Sequence, residues 1–385
     1  MPTGSDSTER APKSQPTASD PENTTGRRGA GRVRKRPLRR TIAFACITAF
    51  GTATFLLLIG EVAFRVQQYA VGPRVREWFG MANEIVVGWP AFDQDLVYRN
   101  RPDWKDHNAD GMRDHPTPSK NRFRLMMLGD SIGYQGDSID DTYPAYLETT
   151  LNADPSTVPC DVLNAGTKGY TNYQELQYLK KYGLQLLPDS VGLGFCVNDL
   201  HQYLHGFDVV DGEIAANTYQ FSADAARVLA PPILHPSLFL SWLWTKSQAA
   251  TIHFGWQEGF IFDYRLDVCT AWQDEPWTAM EAQIDEMEEL CRAQGATFFV
   301  VAFPYSYQYR EDYLERDREY VLKPQARLRA ICEDLKAPFL DLYPVLNADD
   351  FLKDGIHLTA GGRRRTGAAI AEFLTENHLV PTSGR

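Results

Sequence analysis

Apolar and polar positions fall into two regimes along this chain. Residues 41–60 read TIAFACITAFGTATFLLLIG, twenty positions without a charge. As a helix this run is about 30 Å long, the thickness of a bilayer core. Beyond Val66 the pattern changes to short apolar runs separated by segments of helical spacing. FRLMML (123–128), DVLNAG (161–166), SVGLGFCV (190–197), ATFFVVAF (296–303) and PFLDLY (338–343) read as strands. TYPAYLETTLNA, NYQELQYLKKYGLQL, WTAMEAQIDEMEELCRAQG, KPQARLRAICEDLKA and GGRRRTGAAIAEFLTENHL read as the helices between and after them. Unbroken apolar strands alternating with helices predict a parallel sheet covered on both faces. In such sheets sites form beyond the carboxyl ends of the strands.

The flanks of the first run decide how it is read. Arg32, Arg34, Lys35, Arg36, Arg39 and Arg40 crowd its N-terminal side, and Arg65, Arg74 and Arg76 are sparser beyond it. That asymmetry predicts a single-pass anchor over 41–64, with residues 1–40 cytoplasmic and the rest extracytoplasmic. A cleaved signal peptide is the rival reading, but its apolar region is shorter and a small-residue cleavage site follows it. A buried core helix is the other rival, and the basic flank argues against it. Residues 1–40 carry ten Lys/Arg against four Asp/Glu and almost nothing apolar, so they are read as a disordered basic tail. The remaining chain is strongly acidic, which argues against a nucleic-acid partner. Residues 65–121 are a linker and lead-in, and 122–385 the catalytic domain. Six cysteines leave an odd number outside the membrane run, and no disulfide is assigned.

The strand ends carry the chemistry. The first strand ends on Gly129-Asp130-Ser131 and the second on NAGTKGY, with Gly166 and Gly169 at a turn. The third ends on Asn198-Asp199, and Asp354 stands three residues before His357 after the last. Serine, histidine, aspartate, a glycine amide and an asparagine are the groups that acyl transfer through a serine ester requires. Each alone has a plainer reading: Ser131 as a helix cap, the glycines as turn residues, Asn198-Asp199 as an Asx turn, His357 as a surface histidine. Those readings do not explain why all stand at strand ends. Asp130 and Asp199 are read as structural, holding loops through backbone amides.

The ordered blocks GDSI, NAGTKGY, VND and DGIH resemble those of the SGNH (GDSL) hydrolases, across about residues 92–377. The lead-in ADGMRDHPTPSKNRFRLMMLGDS is similar to membrane-anchored bacterial members. The resemblance implies a flavodoxin-like three-layer α/β/α fold with a catalytic triad of Ser131, Asp354 and His357. It implies an oxyanion hole that includes Gly169 and Asn198. The family usually has a glycine where this chain has Cys196. That change tightens a wall and removes no reacting group.

No metal or cofactor is called for. His201 and His205 share a helix face in HQYLH, but two ligands are too few for a catalytic zinc. Residues 200–277 hold five of the eight tryptophans and read as an insertion. It either shapes a pocket over the site or forms a satellite core. Three functions follow: an extracytoplasmic esterase that removes an acyl group, such as acetyl, from a carbohydrate or lipid; an O-acyltransferase to a cell-surface polysaccharide; and a non-enzymatic binding domain, against which the intact triad counts.

Overall fold

A computed structural model describes residues 38–70, 88–200, 207–210, 213–216, 227, 229–265 and 267–382. Residues 1–37 of the expected tail and the pair His201 and His205 fall outside them, while Leu38, Arg39 and Arg40, expected in the disordered tail, are helical. The chain divides into two units, residues 1–56 and 57–385. Helix α1 (Leu38–Ala70) contains the apolar run. Its stretch Leu38–Val66, 29 residues, is long and apolar enough to cross a membrane.

A short antiparallel hairpin, β1 (Pro90–Asp93) and β2 (Val97–Asn100), opens the described part of the body. The sequence pattern missed it, because four-residue strands give too few alternations to register. Next come β3 (Phe123–Gly129), α2 (Ser131–Tyr134), α3 (Tyr143–Ala153), β4 (Cys160–Asn164), α4 (Asn172–Tyr178) and β5 (Ser190–Phe195). A second hairpin, β6 (Phe207–Val210) and β7 (Glu213–Ala216), lies in the insertion with α5 (Leu238–His253). The chain closes with α6 (Glu275–Ala293), β8 (Thr297–Ala302), α7 (Glu311–Val321), α8 (Lys323–Leu335), β9 (Phe339–Asp341) and α9 (Ala360–Glu376).

Five strands form one parallel sheet in the order β4-β3-β5-β8-β9. This is the flavodoxin-like order expected from the sequence. Every residue of β4 and β5 is buried, and β3 is buried from Arg124 onward. Their uninterrupted apolar character follows from helices lying on both faces. Helix α6 shows how the spacing works: Trp277, Met280, Ile284, Met287 and Cys291 are buried, and these positions fall three and four apart. Because β3 comes first in the chain and sits between β4 and β5, the connections leaving it diverge at its carboxyl end. A crevice forms at such a switch point.

Four of the insertion's aromatic residues, Phe260, Phe262, Trp272 and Trp277, are buried in a core. Phe262 stacks on Trp272 with ring centroids 4.0 Å apart, and both are buried together with Trp277. Tyr313 sets its ring edge-on against Phe260 and Phe262. Trp256, 78% exposed, stands outside that core. All six cysteines are free, and all but Cys46 are buried.

Candidate active site

Ser131 occupies the first helical position directly after β3. Asp130 caps that short helix, its Oδ1 accepting the Ile132 amide at 2.8 Å. The cap turns the chain abruptly and leaves the serine hydroxyl at the sheet edge. Two further groups pin α2. Arg113 donates to the carbonyls of Tyr134, at 2.6 Å, and Gly136, at 3.0 Å. Gln135 Oε1 accepts the Leu358 amide at 2.9 Å, tying the serine turn to the loop that carries His357.

That loop is a tight turn built on Asp354. Its Oδ1 accepts the amides of Ile356 and His357, each at 2.9 Å. Its Oδ2 lies 2.9 Å from His357 Nδ1, and His357 Nε2 lies 2.9 Å from Ser131 Oγ. With Nδ1–H donating to the carboxylate, Nε2 is the acceptor, and the serine O–H donates to it. Burial works against the charge on Asp354. The hydrogen bonds from the His357 ring and from the His357 and Ile356 amides outweigh it and hold the carboxyl below its usual value. Asp354 is therefore a carboxylate at neutral pH, able to fix the tautomer and stabilise an imidazolium.

Three N–H donors belong to the residues that the sequence marks for an oxyanion hole. The Ser131 amide heads its helix and has no acceptor among the described residues. Gly169, at φ 71°, sits in the left-handed region that glycine enters freely, and its amide has no acceptor there either. Asn198 is 9% exposed and donates one N–H to Asp130 Oδ2 at 3.0 Å. Its second N–H has no acceptor among the described residues. Asp130 Oδ2 also lies 3.2 Å from Ser131 Oγ, a longer contact than the one to His357. A serine has one proton, so the shorter contact to a neutral imidazole nitrogen takes it.

The turn after β4 is held from both sides. A Cβ on Gly166 would come within 2.7 Å of the Gly133 carbonyl carbon and the Tyr134 nitrogen, so glycine lets this turn touch α2. Asn100, at the end of β2, donates to the Gly166 carbonyl and to Thr167 Oγ1, each at 3.1 Å. Tyr98 Oη donates to the Lys168 carbonyl at 2.9 Å. The lead-in thus buttresses the turn that presents Gly169. Asp199 Oδ2 accepts the Cys196 amide at 2.6 Å and closes the loop that presents Asn198.

The structure brings Ser131, Asp354 and His357 into contact and links Asn198 to Ser131 through Asp130. Asp130 and Asp199 hold loops through amides, and Asp130 also orients the asparagine side chain, which the sequence did not suggest. Arg113, Gln135 and Asn100 are further positioning residues that no motif marks. Among the described residues no group of three His, Cys, Asp or Glu side chains is arranged to hold a metal ion.

Residues 127–365, more than half of the chain, match the model of the GDSL-like lipase/acylhydrolase family. Among solved structures, TesA is 14% identical, with 66% of this chain and 98% of that chain covered and a TM-score of 0.39. The lipase/acylhydrolase from Enterococcus faecalis is 16% identical over 68% of this chain and 99% of that one, with a TM-score of 0.40. A carbohydrate acetylesterase family member from Sinorhizobium meliloti is 14% identical over 66% and 97%, with a TM-score of 0.37. A search of curated proteins found no match.

Proposed function

Since this chain belongs to the GDSL-like lipase/acylhydrolase family, whose chemistry is hydrolysis of esters, we propose that it is a serine esterase working through an acyl-serine intermediate. One observation carries the reading: Asp354, His357 and Ser131 stand in a row with 2.9 Å at each step. Ser131 Oγ attacks the ester carbonyl while its proton passes to His357 Nε2. The imidazolium, stabilised by the Asp354 carboxylate, returns that proton to the departing alkoxide. The developing oxyanion takes the uncommitted N–H groups of Ser131, Gly169 and Asn198, and one such donor is worth about 100- to 1000-fold in rate. Water then enters, gives a proton to His357 and releases the acid, restoring the serine.

The same reading places the catalytic domain outside the cytoplasm. The basic flank before α1 supports that orientation. The substrate in this proposal is an acylated carbohydrate or lipid, and the acyl length is read by a substrate series.

The test uses the full chain in detergent or nanodiscs with p-nitrophenyl acetate, butyrate and octanoate. Hydrolysis is expected, and Ser131→Ala is expected to lower it by about 10⁴-fold or more. Hydrolysis that survives in the variant overturns the assignment. Adding an oligosaccharide acceptor and weighing the products separates hydrolysis from transfer: free acid supports the esterase, and acylated sugar in excess of it supports an O-acyltransferase.

A further inference from the structure

Behind the oxyanion residues lies a group of carboxyls the mechanism does not use. Asp130 is fully buried, Glu175 is 1% exposed and Asp199 2% exposed. Asp130 is fully engaged, as described above. Glu175 is not: among the described residues neither of its carboxyl oxygens has a partner, and neither does Asp199 Oδ1. The backbone packs the start of α4 against the loop that carries Asp199. The Asn172 amide in the first turn of α4 donates to the Asp199 carbonyl at 3.2 Å, and Glu175 lies one turn further along α4.

An unpartnered carboxylate buried in a protein interior is strongly disfavoured, and such a group takes up a proton instead. Burial, then the negative charge of Asp130, pushes the Glu175 carboxyl well above its usual range. Burial, then the charges of Glu175 and Asp130, does the same to Asp199, against the hydrogen bond from the Cys196 amide. Among the described residues the other titratable groups facing the cluster are the Tyr143 hydroxyl from α3, the Cys196 thiol and the Tyr98 hydroxyl from β2, each pushed up by burial first and then by the charge of one or more of these carboxyls. Among the described residues no cation is placed against the cluster, and no metal-holding group of side chains exists there.

We propose that Glu175 is a protonated carboxylic acid that donates to Asp199 Oδ1, and that this carboxyl–carboxylate pair positions the Asn198 arm of the oxyanion hole. The pair takes one proton from solvent and no other reactant. Asp199 then has both oxygens engaged, Oδ1 by Glu175 and Oδ2 by the Cys196 amide. Its carboxylate cannot rotate, and the loop from Cys196 to Asp199 is locked with Asn198 at its tip. Glu175 touches no reacting atom, so it is a positioning residue. The inference rests on the esterase reading for its effect on rate, but not for the protonation itself.

The test compares the wild-type full chain with Glu175→Gln and Glu175→Ala. It reads kcat and KM for p-nitrophenyl acetate from pH 6 to 9.5, and thermal unfolding over the same range. Glutamine keeps a donor for Asp199 that cannot ionise. It is expected to hold kcat within about threefold at pH 7 and to lose the wild-type decline at alkaline pH. Alanine is expected to lower kcat by about 10- to 100-fold with KM within about threefold, since a misplaced oxyanion donor acts on the transition state. The unfolding readout has its own sign. A carboxyl that is protonated only in the folded state loses stability as pH rises from the unfolded value toward the folded one. Wild-type Tm should therefore fall with pH more steeply than that of Glu175→Gln. Equal Tm slopes, an alkaline decline unchanged in the glutamine variant, or kcat of the alanine variant within twofold of wild type overturns the proposal. If the alanine variant does not fold, the glutamine variant decides alone. If the wild type hydrolyses no ester, the esterase reading fails, and the Tm slopes still decide where the proton is.

Discussion

Asp130 Oδ2 accepts an N–H from Asn198 at 3.0 Å, so the residue before the serine aims the asparagine that stands beyond the neighbouring strand. Asp130 follows β3 and Asn198 follows β5, which pair in parallel register up to Gly129 and Gly194. One carboxylate thereby serves two jobs, capping α2 through Oδ1 and orienting Asn198, the proposed oxyanion donor, through Oδ2. Asp130→Asn is expected to keep an acceptor at the cap but to leave an N–H facing the Asn198 amide. In an ester-hydrolysis assay kcat should fall by about 10- to 100-fold with KM little changed. Asn198→Ala should fall further, by about 100- to 1000-fold.

Gly166 has no room for a side chain. An added Cβ would meet backbone atoms of Gly133 and Tyr134 at 2.7 Å, and backbone moves less readily than a side chain tip. Gly166→Ala is expected to destabilise the fold by about 1–3 kcal/mol, as overpacking does. It should also lower kcat, because the displaced segment begins at Ser131. Urea unfolding and the ester assay on one preparation check both. An alanine variant with unchanged midpoint and rate contradicts the close packing.

Asp263 gives a pH dependence whose sign can be worked out. Burial pushes its carboxyl up from 3.8 to about 6, against the hydrogen bond from Tyr320 and the charge of Lys323. The folded value exceeds the unfolded one, so the folded state holds the extra proton between about pH 4 and 6. Its contribution is present at and below pH 4 and is lost as pH rises through 6. Asparagine cannot ionise and still accepts from the Tyr320 hydroxyl, which lies 2.7 Å from Oδ1. Relative to wild type, Asp263→Asn should gain stability between pH 4 and 8, on the order of 1–2 kcal/mol. Denaturant midpoints of the two chains at pH 4.5, 6 and 8 measure this. A difference that stays constant with pH contradicts it. Groups elsewhere, such as His107 with its value lowered by burial, act equally in both chains and cancel.

The proposed anchor makes a separate prediction. A C-terminal alkaline phosphatase fusion to the full chain should be active in cells, and a C-terminal fluorescent-protein fusion dark. Both follow if the basic residues before α1 stay in the cytoplasm. The reverse pattern contradicts the orientation, and release of the chain by alkaline carbonate contradicts the span.

The fold was legible because the strands FRLMML, DVLNAG, SVGLGFCV and ATFFVVAF are buried on both faces over nearly all their length and therefore read as predominantly apolar runs. Ser131, Asn198, Asp354 and His357 stand out in the sequence because they end strands or follow them in short motifs. The supporting groups were not. Gln135 meets the Leu358 amide 223 positions away, and Asn100 meets Gly166 across 66. Nothing in the local pattern around either residue names its partner, since the partner is chosen by how the loops converge. Glu175 was invisible for a related reason. It lies within a helix of ordinary spacing, and only its burial and its empty oxygens distinguish it from a solvated glutamate.

The most direct test of the central claim is where an activated-serine reagent attaches. Treating the full chain with a fluorophosphonate and mapping the adduct by peptide mass spectrometry should place the label on Ser131. Labelling should vanish in Ser131→Ala and slow by about 100-fold or more in His357→Ala, which removes the base. A label on another residue, or equal labelling of wild type and the His357 variant, would contradict the claim that the 2.9 Å contact between His357 and Ser131 activates the serine.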